Sequence, residues 1–299
     1  MKTDNLRPHS ERYLSLDVFR GLTVALMIVV NTPGDWSNIY ALLKHSDWHG
    51  YTPTDWVFPA FLFVVGNAMS FGMAKLKDKC QGDFFNKVLK RTLVMFIIGL
   101  FLNVFPFLTY DSGQYVLIDF SSIRFWGVLQ RIAVCYCLAS IMCYYMKEAA
   151  LVTVTIAILL FYWLILYFFG DAPNQYSMES NAVGKLDLMY LKTKNMYKHY
   201  SIPFDPLGLL STIPAIANVI GGYLVGLFIK KNGNTVDTLL KMSVVGIGFV
   251  IIAEVWGILF PINKPLWTST YAILSIGYCL LFLAFLVFVI EKQNLKKWT

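Results

Sequence analysis

The chain has 299 residues, 57% of them hydrophobic and only 14% charged, and its mean hydropathy is +0.57. Soluble domains hold about 45–50% apolar and about 25% charged residues, so this composition excludes a water-soluble enzyme and requires an integral membrane protein. The net charge of +7 is no sign of nucleic-acid binding, because excess Lys and Arg on a membrane protein gather in the segments that stay in the cytoplasm.

A helix needs about 20 mainly apolar residues to cross the hydrocarbon core. Eight stretches qualify, at 15–32, 55–75, 90–109, 123–145, 149–170, 206–229, 241–262 and 268–290. They predict an all-α polytopic bundle of about eight transmembrane helices. It forms one membrane domain over 1–299, with a cytoplasmic N-terminal segment at 1–14 and a long outward-facing loop at 171–205. Of the 25 Lys and Arg, 16 fall in the N-terminus, 75–91, 146–148, 230–241 and the C-terminus. The positive-inside rule then places both termini in the cytoplasm of a plasma (bacterial inner) membrane, with the loop after span one outside. No cleavable signal peptide is expected: Arg20 interrupts the first span and no small-residue cleavage site follows it. The chain stops at Lys296–Lys297–Trp298–Thr299, soon after span eight, which suggests a partial chain.

The segment joining spans one and two, NTPGDWSNIYALLKHSDWHGYTPTDWVFP, concentrates polar chemistry at the mouth of the bundle. His45 and His49 are four apart, but no third ligand is spaced beside them, so no metal is expected. The five cysteines have no metal-site spacing and read as packing residues. Trp36, Tyr40, Trp48 and Trp56 are candidates to shield an imidazole, with Asp55 to orient it. A neutral imidazole with a pKa of about 6.5 suits proton abstraction from an amine or hydroxyl, or attack on a thioester.

Polar groups inside hydrocarbon cost about 2.5–3.5 kcal/mol per charge and need a partner or a purpose. Asp17 and Arg20, three apart, form either a structural ion pair or a place where Arg20 holds an anionic ligand from the cytosol. Gln130 and Arg131 lie in span four. Asp205–Pro206 reads as the capped start of span six, which continues with Ser211, Thr212, Pro214 and Asn218. With Glu254 and Asn31, these residues either line a cavity opening outward or serve interhelical hydrogen bonds. Gly222 and Gly226 form a GxxxG that reads as helix packing.

Taken in order, RYLSLDVFRG, VVNTPG, KHSDWHGYTPTDWVFPAFLFVVG, GVLQRIA, FDPLGLLSTIPAIANVIGG and NKPLWTSTYAIL resemble the heparan-α-glucosaminide N-acetyltransferase catalytic-domain family. The resemblance covers nearly the whole chain. It implies a transmembrane acyltransferase that takes acetyl from cytosolic acetyl-CoA and gives it to an amino sugar or related glycan on the other side. The family's active-site histidine falls on His45, its membrane-end asparagine on Asn31 and the aspartate of the block on Asp55. In that reading Arg20, Lys90 and Arg91 attract the CoA phosphates, and Trp48, His49, Arg131, Asp205 and Glu254 contact the acceptor. His49 stands where the lysosomal enzyme has asparagine, the Asn31–His45 interval is longer, and the luminal N-terminal domain is absent, so the acceptor is not read as heparan itself. Expected partners are membrane lipids and the small-molecule acceptor, with a homodimer allowed. Two other readings stay open on the same residues: a sugar or cell-wall-fragment transporter or flippase without acyl transfer, and a non-catalytic membrane partner.

Overall fold

Long apolar runs without internal breakers become long helices. The computed structural model of the protein describes residues 13–295 apart from Trp36, Lys79, Ser112, Lys198 and His199. Expectations for Trp36, for the N-terminal segment up to residue 12 and for 296–299 lie outside the described residues. Those residues contain nine α-helices: α1 (Leu14–Asn31), α2 (Pro53–Lys77), α3 (Gln81–Val104), α4 (Val128–Tyr145), α5 (Glu148–Phe169), α6 (Ala182–Tyr190), α7 (Leu209–Asn232), α8 (Val236–Gly257) and α9 (Ser269–Val287), the last running into a π-helical turn at Phe288–Lys292.

The fold is an all-α polytopic membrane bundle. Among the described residues, seven helices are long and apolar enough to cross a bilayer. The other expected span, α3, has the length, but Lys87, Lys90 and Arg91 leave every 18-residue stretch of it with at least three charges. Beyond Arg91 it is apolar, and Ile97, Ile98, Phe101 and Leu102 face outward. It ends before Pro106, whose ring disfavours helix at the preceding residue. A short hairpin then follows, β1 (Leu108–Asp111) paired antiparallel with β2 (Gln114–Leu117), turning at Gly113 with φ +86°. The sequence reading contained neither this hairpin nor the short helix α6.

Helices α2, α7 and α9 form the interior, while α1, α5 and α8 turn large apolar side chains outward, as lipid-facing helices do. α2 and α7 touch backbone to backbone. A Cβ on Gly66 would fall inside the carbonyl of Val219, one on Gly222 inside that of Phe63, and one on Gly226 on the Ser70 hydroxyl. Small residues at a membrane helix interface permit this approach, and the GxxxG of the sequence reading lies here.

The connections sort by end. At one end those joining α1–α2, α3–α4, α5–α7 and α8–α9 touch each other: Trp48 Nε1 donates to Tyr176 O at 2.9 Å, Asn195 Nδ2 to Ile123 O at 2.8 Å, and Gly50 N to Ile262 O at 2.9 Å. At the other end Lys231 pairs with Glu148 at 2.7 Å and Ser15 N donates to Glu291 Oε1 at 3.2 Å.

The α8–α9 connection sinks into the bundle, with Phe260, Asn263, Leu266, Trp267 and Thr268 fully buried or nearly so. Irregular backbone at such depth must be satisfied by protein. Asn263 Oδ1 accepts Leu266 N at 2.7 Å, Thr268 Oγ1 accepts Asn263 N at 3.0 Å, and Tyr162 OH donates to Leu266 O at 2.5 Å. Trp267, at φ +50°, is pinned by donating Nε1 to Asn218 Oδ1 at 3.0 Å. Asn218 is thus a structural anchor.

Because no side chain fits between α2 and α7, Gly222→Ala should destabilise the bundle by about 1–3 kcal/mol. Gly21→Ala, in α1 with open space around it, should leave stability unchanged or raise it by up to about 1 kcal/mol. Thermal unfolding of the two purified variants in one detergent checks the contrast.

Candidate functional site

The site is organised at the first turn of α2. Asp55, at the third helical position, accepts Thr52 N at 3.1 Å and Thr52 Oγ1 at 3.0 Å on Oδ2, closing the helix start as a capping box does. The same oxygen accepts Ser46 N at 3.1 Å. Oδ1 faces His45 Nδ1 at 2.7 Å and Lys264 Nζ at 3.2 Å. Asp55 is fully buried and Lys264 only 21% exposed, so carboxylate and cation answer each other's cost of burial. Burial pulls the Lys264 amine below its usual value, and the neighbouring Asp55 opposes that shift. Lys264 Nζ also lies 2.9 Å from His45 Nδ1 and 3.5 Å from Nε2.

His45, Asp55 and Lys264 share a cavity of about 270 Å³ with Asn31 and Arg124; Phe58, Trp267, Tyr197 and Tyr200 supply ring surfaces. Asn31 Nδ2 donates to Met27 O at 2.7 Å, which leaves its second amide hydrogen and its carbonyl oxygen uncommitted. Arg124 is held from two sides. Its guanidinium makes a fork onto Asp205, Nε to Oδ2 at 2.9 Å and Nη2 to Oδ1 at 2.6 Å, and it lies 4.5 Å over the Tyr197 ring. A forked pair of this kind fixes orientation as well as charge.

Of the residues expected from sequence, His45, Asn31 and Asp55 meet in the cavity; the others lie elsewhere. Asp205 does not cap α7. That helix starts at Leu209, and the Asp205 carboxylate turns instead to Arg124 and to Leu207 N at 2.9 Å. Trp48 is a wedge, its indole committed to Tyr176 O and its ring set edge-on to Phe204 with centroids 5.4 Å apart. His49 sits behind the inserted loop, Nδ1 3.3 Å from Asn263 Nδ2, and partial burial pulls its pKa down. Arg131 is fully buried. It donates to Gly208 O at 3.2 Å and to the Ser211 hydroxyl, and its guanidinium lies 4.9 Å over Trp267, behind the cavity. Glu254 is exposed on the outer face of α8, beside Ile251 and Val255. Tyr40 is 82% exposed and Trp56 stacks on Phe19, so neither shields His45.

Arg20, Lys90 and Arg91 are exposed and do not line the cavity. Arg20 pairs with Asp17 at 2.9 Å, eleven residues or about 16 Å along α1 from Asn31, and Arg91 lies 5.5 Å over Tyr136.

Over residues 12–234 the chain matches the family described as heparan-alpha-glucosaminide N-acetyltransferase, catalytic. The chain belongs to this family. It is 25% identical to heparan-alpha-glucosaminide N-acetyltransferase of Mus musculus over 98% of its own length, and 25% identical to that of Homo sapiens over 96%. It spans about half the length of these curated relatives, 51% and 50% respectively. The family match takes in His45, Asp55 and Arg124, whereas Lys264 lies beyond it.

Lys264 and Arg124 are the site residues that sequence reasoning missed. Both are basic groups in segments that the positive-inside rule expects to be poor in them, and that exception was the available signal. Asp187 of α6 is a third surprise. It is buried, accepts Leu209 N at 3.2 Å at the start of α7, and leaves Gly208 no room for a Cβ. Burial pushes its carboxyl up to about 7, against the pull of the Leu209 N–H.

A carboxyl that binds its proton more tightly folded than unfolded weakens the fold as pH rises from its unfolded value, near 3.8, to its folded one. Asp187→Asn keeps an acceptor for Leu209 N without the buried charge. Its thermal stability should therefore exceed that of the unsubstituted protein by a few degrees at pH 8, by less at pH 5, and the gap should level off above pH 7. Melting curves across that range decide it.

Proposed function

We propose that this protein is a transmembrane acyltransferase, moving an acetyl group from acetyl-CoA to the amine of an amino sugar or related glycan. The observation that carries the reading is a histidine whose Nδ1 is held by a buried carboxylate at the mouth of a cavity, in a chain of this family. A carboxylate only accepts hydrogen bonds, so the 2.7 Å contact puts a proton on Nδ1 and leaves the lone pair on Nε2. His45 Nε2 can then take the proton of an incoming amine, or attack the thioester itself. Asp55 stabilises the imidazolium that forms when Nε2 is protonated. Donors for the oxygen that gains charge as the thioester is attacked are close by: Lys264 Nζ, the uncommitted amide hydrogen of Asn31 and the guanidinium of Arg124. Such preset donors are worth most where water is excluded.

The cavity volume of about 270 Å³ is below the roughly 300–1,000 Å³ of sites that enclose a drug-sized ligand. It suits a sugar ring or the acetyl end of the donor, with the nucleotide lying outside. Arg20, Lys90 and Arg91 stay in the reading as phosphate contacts on a surface apart from the cavity. In this reading the basic end of the bundle lies in the cytoplasm of a plasma-membrane protein, with His45 facing the other side.

Purified protein in nanodiscs, given acetyl-CoA and glucosamine, should form N-acetylglucosamine. His45→Ala should lower the rate by about 10²–10⁴-fold, whereas His49→Asn should stay within about tenfold, because His49 lies outside the cavity. The reverse pattern would sink the assignment, and uptake of sugar into liposomes without acetyl transfer would favour a transporter. For orientation, a cysteine replacing Ser37 should react with an impermeant thiol reagent in intact cells and one replacing Asp83 should not. Opposite labelling would invert the topology.

A further inference from the structure

The cavity contains an amine of its own. Nδ1 of His45, Oδ1 of Asp55 and Nζ of Lys264 form a triangle with sides of 2.7, 2.9 and 3.2 Å, and its protons can be counted. The proton between Nδ1 and the carboxylate belongs to the imidazole, since the carboxylate has none to give. Lys264 Nζ donates to Oδ1 at 3.2 Å as an ammonium. Its enclosure eases release of one ammonium proton to solvent, which leaves a free amine, the nucleophilic form, beside His45.

We infer that Lys264 is a self-acetylation site, filled when the acyl donor is present and no external amine competes. The inference rests on the acyl-transfer reading. Nζ is 3.5 Å from His45 Nε2, so a thioester whose carbonyl carbon is seated against that nitrogen lies within reach of the lysine, with Nε2 free to take its proton. In the step, a bond forms between Nζ and the thioester carbonyl carbon and the carbon–sulfur bond breaks. The proton lost by Nζ passes to His45 Nε2 and on to the departing CoA thiolate. The products are acetyl-lysine and CoA thiol, and no other reactant is needed. Acetylation removes the basic nitrogen that answers Asp55 and places a new group inside the cavity. Acceptor shortage would thus switch the protein off. Lys44, 61% exposed and paired with Asp47 at 2.9 Å, is a nearby lysine outside the cavity and serves as the internal control.

The test uses the full chain in nanodiscs with acetyl-CoA and no acceptor, followed by mass spectrometry of the peptides holding Lys264 and Lys44. Lys264 should gain one acetyl group at a rate at least about tenfold above Lys44, the advantage of a reactant held in place. Glucosamine should delay it, and His45→Ala should lower it to the Lys44 rate. Activity should decay in step with the modification. Lys264→Arg, whatever its starting rate, should show no such progressive decay during incubation with acetyl-CoA. A protein that acetylates glucosamine but leaves Lys264 unmodified, modifies both lysines alike, or decays equally as Lys264→Arg, overturns this inference alone. Failure to acetylate either glucosamine or lysine overturns the functional reading beneath it.

Discussion

The carboxylate of Asp55 is the point on which the cavity end of the bundle depends. It is fully buried, yet it accepts hydrogen bonds from the start of α2, from the histidine loop and from the α8–α9 connection. Three segments far apart in sequence are thereby fixed to one pair of oxygens. Without the carboxylate, Lys264 would be left largely buried with no counter-charge, a situation that costs about 3–5 kcal/mol for a buried pair, and the imidazole would lose the group that fixes its tautomer. Helix capping, loop placement and the setting of the imidazole cannot be separated here, because one side chain serves all three.

A second layer of polar contacts holds the walls. Arg124 is clamped by Asp205 and backed by Tyr197, so its guanidinium reaches the cavity with its charge already balanced. Lys264 is balanced by Asp55 in the same way. The cavity thus presents hydrogen-bond donors whose charges are each answered by a neighbouring carboxylate. Below, Trp267 closes the floor, held by Asn218 on one side and by the Arg131 guanidinium on the other.

Much of this was legible in the sequence, and the limits follow from physics. Long apolar runs between polar segments yield helices at nearly the predicted places, because little else satisfies a backbone in hydrocarbon. The H-x-x-W-x-G block drew attention to His45 and Asp55, ten residues apart on one loop and one helix turn. Pairings across the bundle left no such trace. Lys264 is 219 residues from His45, and no periodicity or spacing connects them. Asp205 carried a good capping signal before a proline, yet a guanidinium in reach won its carboxylate and α7 began three residues after Pro206. Glu254 looked like a cavity residue by depth alone. Depth along a helix says nothing of azimuth, and the lipid-facing side of α8 is where it falls. Basic residues in α3 blurred its status as a span, because hydropathy averages over a helix whose ends lie in different surroundings.

The sunken α8–α9 connection also bears on how the protein is made. A chain emerges from its N-terminus, and Asp55 precedes Lys264 by 209 residues. The histidine loop is therefore made well before its cation. Only when α8 and α9 pack, and Asn263 folds its loop around Trp267, does Lys264 arrive beside His45. Until then Asp55 and His45 stand without the counter-charge that the α8–α9 connection brings.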